Sequence, residues 1–407
     1  MRATAASRVL VIDEELPWPA NTGKRLRTLN LMTCLAREFE IDYLVHGHGT
    51  TPEAVHEMTR RGLTVIESDS GVPAKSGWMM PFRIVSSVLS GLPYSVHSHF
   101  QRGFAKALRE RLESGRYGVI HCEWTPYAIY LQGNIGVPVC IAAHNIEWEI
   151  WRRMTAAESR PLHRLLYGVQ ASFMERFERR VFRASQFVTA VSAGDAATIQ
   201  SIKPQEVVVV ANGVDGDAYR PPDVEPSGRS LVFTGSMDWR PNQDAIRWFI
   251  EAVHPLLIQD GDYRLHVVGR QPPDWLRDRS FVPPQVIVTG TVDDVRPYIA
   301  GASVYVVPLR IGGGSRLKIL EALAMGRAVV STTVGAEGLD LEPGVNILFE
   351  DTPERFAAAI NMLWQDEPRR RALGGAGRQV VDRQYRWEQI APLQGALWRR
   401  AAATSAR

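Results

Sequence analysis

Short apolar runs rich in Val and Ile recur along the chain, and each leads into a stretch whose apolar residues return at helical spacing. Residues 8–13, RVLVID, open into RLRTLNLMTCLAREF; EIDYLVHG, LTVIES, YGVIHCEW, VPVCIAAHN, QFVTAVS and EVVVVANGV follow. After Pro221, Pro222 and a polar stretch to Ser230 the alternation restarts with SLVFTGS, YRLHVVGR, QVIVTGT, SVYVVPL and RAVVSTTV. Runs that stay apolar, rather than alternating, suit strands covered on both faces of a parallel sheet. Strand–helix repeats on either side of the break therefore predict two doubly wound α/β domains, residues 1–222 and 223–380. Residues 381–407, which include RWEQIAPLQGALWRR, read as a further helix.

Composition narrows the class. A chain of 407 residues with 45% apolar content can bury two or three cores. Its 47 basic and 44 acidic residues leave +3, which argues against a disordered tail and against binding nucleic acid by bulk charge. Only Lys24, Lys75, Lys106, Lys203 and Lys318 are lysines; the other 42 basic residues are arginines. Cys34, Cys122 and Cys140 lie in apolar stretches without a Cys-x-x-Cys, and read as reduced thiols of a cytoplasmic protein. MRATAASRVL is too short and polar for a secretory signal, and no apolar run approaches the ~20 residues of a membrane span.

In doubly wound sheets ligands bind past the carboxyl ends of strands, and between two facing domains a cleft is the default site. The richest such segment is residues 312–326, GGGSRLKILEALAMG. Its glycines allow backbone amides close to a ligand, and the helix opening near Ser315 favours a phosphate. Arg316 and Lys318 can neutralise a diphosphate. Glu321 shares a helix face with Lys318 and can accept hydrogen bonds from vicinal sugar hydroxyls. A glycine turn followed by a solvated Lys–Glu pair is the plainer alternative. Asn21, Thr22, Gly23 and Lys24 form a second strand-end loop, readable as an ordinary turn and cap; no G-x-G-x-x-G supports a dinucleotide site. His144 ends a strand, as either a core histidine or a reaction-centre residue. Glu123, Glu147 and Glu149 follow strand ends as weaker candidates. The ten histidines are scattered, and none forms a cluster with metal-ligand spacing. Residues 78–112 carry Met79, Met80 and Phe82 beside Arg83, Arg102 and Lys106: either a core helix pair or a surface for anionic lipid headgroups.

GGGSRLKILEALAMGRAVVSTTVGAEGL resembles the nucleotide-sugar motif of GT-B glycosyltransferases, particularly the retaining family 4. AHN at 143–145, ANGVD at 211–215, FTGSMDWRPNQDA at 233–245 and VVGR at 267–270 resemble other signatures of that family, in the same order. The wording is similar to sugar transferases of bacterial exopolysaccharide assembly. The resemblance implies two facing Rossmann-like domains with a deep interdomain cleft. It also implies a C-terminal helix returning to the first domain, with Trp387, Leu393 and Trp398 packing across the hinge. Family members carry two glutamates separated by seven residues; the second, on the ribose, corresponds to Glu321, and the first position holds Gly313. What takes over from that first glutamate is left open.

Carried over residue by residue, the resemblance assigns His144, Arg240 and Lys318 to catalysis. Gly23, Lys24, Gly235, Asn242, Gly313, Gly314, Ser315, Arg316 and Glu321 then bind the donor. The implied enzyme is a metal-independent, retaining hexosyltransferase that needs no cofactor beyond its nucleotide-sugar substrate. Without a metal clamp, cationic side chains and a helix N-terminus must stabilise the leaving diphosphate. Its acceptor is a saccharide or lipid-linked sugar in polysaccharide biosynthesis. It is expected in the cytoplasm, with peripheral contact at the inner membrane and no nucleic-acid partner. A nucleotide-sugar 2-epimerase and a non-catalytic nucleotide-sugar-binding subunit are the alternatives.

Overall fold

The computed structural model describes residues 8–72, 80–114, 117–133, 135–158, 160–202, 206–223, 226, 228–278, 280–311 and 316–405. Two compact units are formed, Met1–Ala211 with Ile390–Arg407, and Asn212–Gln389. Each is a parallel sheet covered by helices on both faces, in the Rossmann-like arrangement that the apolar runs predict.

The first domain's sheet runs β3-β2-β1-β4-β5-β6-β7. Its strands are β1 (Arg8–Ile12), β2 (Glu40–His48), β3 (Leu63–Gly71), β4 (Val119–Cys122), β5 (Val139–Ala143), β6 (Phe187–Ala190) and β7 (Glu206–Val209). Strand β1 is central, pairing Val9 with Ile41 on one side and Val119 on the other. Val9, Leu10, Val11 and Ile12 are fully buried, which is why RVLVID shows no polar alternation. The strand order reverses between β1 and β4, and at such a switch point the loops diverge and leave a crevice. Helix α1 (Gly23–Leu35) follows β1, with Thr22 as N-cap accepting from the Arg25 amide.

Residues 80–113 form three helices of different character. Helix α2 (Met80–Ser90) exposes Val85 and Leu89, whereas α4 (Arg102–Glu113) buries Phe104 and Leu108; α3 (Tyr94–His99) lies between them in sequence. The core reading fits α4, whereas α2 carries exposed apolar side chains; residues 73–79, including Met79, fall outside the described part.

The second sheet runs β10-β9-β8-β11-β12-β13. Its strands are β8 (Ser230–Thr234), β9 (Arg264–Val268), β10 (Val286–Gly290), β11 (Val304–Val307), β12 (Ala328–Ser331) and β13 (Leu348–Phe349). The change of domain falls at 211/212 rather than near 222. Val214 donates to the Tyr385 carbonyl, and Arg378 donates to the carbonyls of Gly216 and Tyr219. Those bonds tie the intervening turn into the second domain. The last helix, Trp387–Ser405, is assigned to the first domain from Ile390 onward. There Trp398 is fully buried, edge-on to Phe39 at 5.2 Å. Leu393 departs from its expected packing role and is 47% exposed, since its position on the helix points away from that seam.

Adjacent glycines in the helix Glu367–Val380 give a paired test of the packing. A Cβ on Gly374 would sit 2.1 Å from the Gly326 carbonyl oxygen, whereas one on Gly375 would meet nothing within 4 Å. Gly374→Ala should therefore destabilise by about 1–3 kcal/mol through overpacking. Gly375→Ala should be neutral or stabilise by up to about 1 kcal/mol through helix propensity. Denaturant midpoints of the two variants check the contrast.

Candidate functional site

Strand β8 ends at Thr234 and turns at Gly235, whose φ of +156° and close surroundings both exclude a side chain. A Cβ there would lie 2.7 Å from Lys318 Nζ and 2.8 Å from Asn242 Nδ2. Gly269, past β9, would place its Cβ 1.8 Å from the Gly235 carbonyl oxygen, so the strand ends meet backbone to backbone. Helix α5 (Arg240–Trp248) then presents Asn242, which donates from Nδ2 to the Ser236 carbonyl at 2.8 Å. Its Oδ1 accepts from Lys318 Nζ at 3.0 Å.

Lys318 lies in the first turn of helix α6 (Leu317–Ala324), its ammonium 4.1 Å from the Phe233 ring centroid. Among the described residues no carboxylate forms an ion pair with it. Burial, then the neighbouring Arg316 charge, pulls its pKa from the ordinary 10.5 to about 7, against a weaker upward pull from Glu321. Arg316 precedes α6, donates to the Val334 carbonyl at 2.7 Å and lies 3.7 Å from Glu337. One turn on, Glu321 Oε1 accepts from the Tyr219 hydroxyl at 3.1 Å. Burial raises the Glu321 carboxyl, partly offset by that bond and by Lys318.

The structure therefore brings together Gly235, Asn242, Arg316, Lys318 and Glu321. Arg240 begins α5 and is exposed. Gly313, Gly314 and Ser315 lie outside the described residues. Phe233 and Tyr219 were not singled out in the sequence. Phe233 precedes Gly235 by two positions in a strand that reads as pure core, and Tyr219 reaches Glu321 across 102 positions. Only the ANGVD segment just upstream of Tyr219 could have drawn attention to it.

Gly23, Lys24 and His144 belong to the first domain. Lys24 Nζ contacts Asp13 Oδ1 at 2.6 Å and Glu14 Oε1 at 3.0 Å. Burial opposes its charge, yet those two carboxylates hold its pKa above the ordinary value. Burial likewise pushes Asp13 up to about 6 despite Lys24. His144 follows β5 directly, its Nε2 3.0 Å from Glu123 Oε1. No group of three or more His, Cys, Asp and Glu side chains among the described residues is arranged to hold a metal.

Comparison with known proteins assigns the class. Residues 27–218 match the model for Glycosyltransferase Family 4, and 228–366 match that for Glycosyl transferases group 1. A Klebsiella pneumoniae protein described as an uncharacterized 44.6 kDa protein in the cps region is 20% identical, spanning 87% of this chain and 90% of that one. The sucrose-phosphate synthase of Thermosynechococcus elongatus superposes with a TM-score of 0.71 at 17% identity, covering 98% of this chain and 100% of its own. HepE of Anabaena, solved with UDP-glucose, superposes with a TM-score of 0.64 at 14% identity, covering 96% and 99%. The family matches and the paired Rossmann-like sheets support a GT-B glycosyltransferase, whose chemistry is sugar transfer. More narrowly, the first domain carries the family 4 likeness and the second that of group 1.

The two site lysines should titrate far apart. With five lysines in the chain, ε-amine NMR can resolve each. Lys318 should lose its proton near pH 7 and Lys24 should keep its own beyond pH 10. A Lys318 midpoint close to that of an exposed lysine would remove the desolvated pocket.

Proposed function

We propose that the chain transfers a hexosyl group from a nucleotide-diphosphate sugar to a saccharide or lipid-linked acceptor, with retention and without a metal ion. The observation that carries this reading is Lys318: a desolvated amine with an amide and an aromatic ring for neighbours and, among the described residues, no carboxylate ion-pair partner. Such a group gains most from an incoming anion, because the low local dielectric strengthens the pairing. Arg316 and Arg240 supply further positive charge, and Gly235 keeps the approach open. Gly313, Gly314 and Ser315, which lie outside the described residues, complete the donor-binding set. Glu321, oriented by Tyr219, accepts from the ribose hydroxyls. In the first domain, His144 contacts the transferred sugar, and the loop holding Gly23 and Lys24 contributes to donor binding. As the glycosidic bond breaks, negative charge grows on the leaving diphosphate, and Lys318 stabilises it there. No cofactor takes part in this scheme.

The acceptor reading includes peripheral contact with the inner face of a membrane. No helix among the described residues is long and apolar enough to cross one. Helix α2 exposes Phe82, Val85 and Leu89 at helical spacing, and the helix Pro161–Ala184 exposes Leu162 and Leu165. Gln170 donates to Ser87 Oγ at 3.4 Å, which places the two helices side by side. Next to Leu165 a groove of about 640 Å³ is lined by Val169 and Phe173, with Arg164 and Arg176 along it. Apolar ridges beside arginines suit an anionic interface. The Klebsiella relative's place in a cps region fits a polysaccharide product.

Lys318→Ala should reduce transfer of labelled sugar by about 10²–10³-fold in kcat, the usual loss of a cation stabilising a leaving group. Glu321→Ala should act mainly on KM, by about 10–100-fold, as a charged hydrogen bond worth ~1.5–3 kcal/mol is lost. Turnover undiminished in both variants would overturn the site. Co-sedimentation with vesicles containing anionic lipid should retain the protein, and Leu89→Asp with Leu165→Asp should release it. Equal recovery with neutral vesicles would remove the lipid contact.

A further inference from the structure

Beside the Lys318 pocket an aromatic ring stands in the open. Trp239 ends the turn that follows β8 and is 51% exposed, more than any other large apolar side chain among the described residues of this domain. Every other tryptophan among the described residues is buried, or stacks on a ring or a cation. Among the same residues Trp239 has no such neighbour, and its indole N–H meets no acceptor. A lone exposed apolar side chain is ordinary, so its setting has to carry the argument.

The backbone beneath the ring is held from several sides. Met237 is fully buried, and its amide donates to the Arg270 carbonyl at 2.9 Å. Gln243 Nε2 donates to the Met237 carbonyl at 2.6 Å, and Asn242 Nδ2 donates to the Ser236 carbonyl at 2.8 Å. Arg270 Nε donates to Ser236 Oγ at 2.7 Å. The Trp239 amide donates to the Ser236 carbonyl at 3.3 Å, and its own carbonyl accepts from the Asn242 amide at 3.0 Å as α5 begins. An aromatic ring on a backbone already ordered binds at low entropic cost, because few torsions remain to be fixed.

Position decides what covers the indole. Asn242, one helical turn from Trp239, accepts from Lys318 Nζ at 3.0 Å, and Gly235 puts no side chain against that ammonium. Glu321 lies a further turn along α6 and is bound to Tyr219. With the ribose on Glu321 and the diphosphate at Lys318, contacts run on through Asn242 to the Trp239 turn, and what lies past the diphosphate is sugar. Asp238 and Arg240, on either side of Trp239, are exposed too, and bring an acceptor and donors for hydroxyl groups. A pyranose presents C–H groups on an apolar face, which suits the negative face of an indole. We propose that Trp239 is a stacking platform for a pyranose ring, either the hexose being transferred or the saccharide that receives it. The order of the contacts rests on the transfer reading above; the exposure and fixed backbone of Trp239 do not.

Fluorine NMR of the full chain labelled with fluorotryptophan tests this, the signal missing from Trp239→Phe being that of Trp239. One arm adds methyl glycosides of glucose, galactose and mannose, with sorbitol at equal concentration as a polyol lacking the ring. The other compares UDP-glucose with UDP and GDP-mannose with GDP. The Trp239 signal should move with a pyranoside beyond sorbitol, which assigns the acceptor saccharide, or with a nucleotide sugar beyond its diphosphate, which assigns the donor hexose. Movement in neither arm overturns the proposal. So does equal movement with UMP or GMP, because a nucleobase then covers the ring. Trp239→Ala should weaken the responding ligand about tenfold and Trp239→Phe at most about threefold, with melting temperatures unchanged. Undiminished affinity in Trp239→Ala also overturns the platform. The two readings fail separately. A pyranoside shift without any binding of diphosphates or nucleotide sugars, read from melting temperature, keeps the platform and removes the donor site. Diphosphate binding without a pyranose response does the reverse.

Discussion

The site in the second domain is organised around a lysine whose ammonium form is held where water cannot fully serve it, so that burial draws its pKa down to about 7. Lys318 sits among the Asn242 amide, the Phe233 ring and the Gly235 backbone, with Arg316 two positions away adding a like charge. A cation so placed costs free energy in the resting protein unless it is neutralised. The surrounding architecture is shaped to tolerate it. Gly235 and Gly269 let two strand ends meet without side chains, and Asn242 is fixed by the Ser236 carbonyl so that its oxygen, not its nitrogen, faces the ammonium. Replacing Gly235 would displace the lysine or Asn242, and replacing Gly269 would collide with the Gly235 backbone. A buried lysine at the opening of a helix, with no carboxylate ion pair among the described residues, is the strongest argument for an anionic ligand, whose charge would favour its ammonium form.

The first domain handles the same problem differently. Several of its ionic groups pair with one another: Lys24 with Asp13 and Glu14, Arg25 with Glu15, and Arg8 with Asp42, which also accepts from Tyr117. Glu123 has two histidines and a threonine. Such networks fix side-chain geometry because each member satisfies another, and removing one leaves a buried group unpaired.

The strands were legible in the sequence because parallel strands buried on both faces keep continuous Val and Ile runs. Twelve such runs were read, and the one omission, Leu348–Phe349, is two residues long and too short for any periodicity. The domain boundary was displaced because Pro221 and Pro222 mark a turn, whereas the hydrogen bonds of Val214 and Tyr219 already tie the chain to helical segments of the second domain. Within the site, Gly235, Asn242, Arg316, Lys318 and Glu321 were legible from one strand end and one helix opening. Phe233 was hidden inside an apolar run, and Tyr219 is distant in sequence. What the chain order cannot display is which polar groups a fold brings face to face, and that is where the chemistry of the site resides.

The account turns on whether the Lys318 pocket takes a nucleotide-diphosphate sugar. Its most direct test is the melting temperature of the full chain with UDP-, GDP- and ADP-sugars, each beside its nucleoside monophosphate. A ligand that binds only the folded state at 100 times its Kd stabilises by about 2.7 kcal/mol, which is readily seen. The account predicts a clear rise with at least one class of diphosphate sugar and little or none with the matching monophosphate, which lacks the second phosphate. No rise with any diphosphate sugar, or equal rises with both forms, would contradict it.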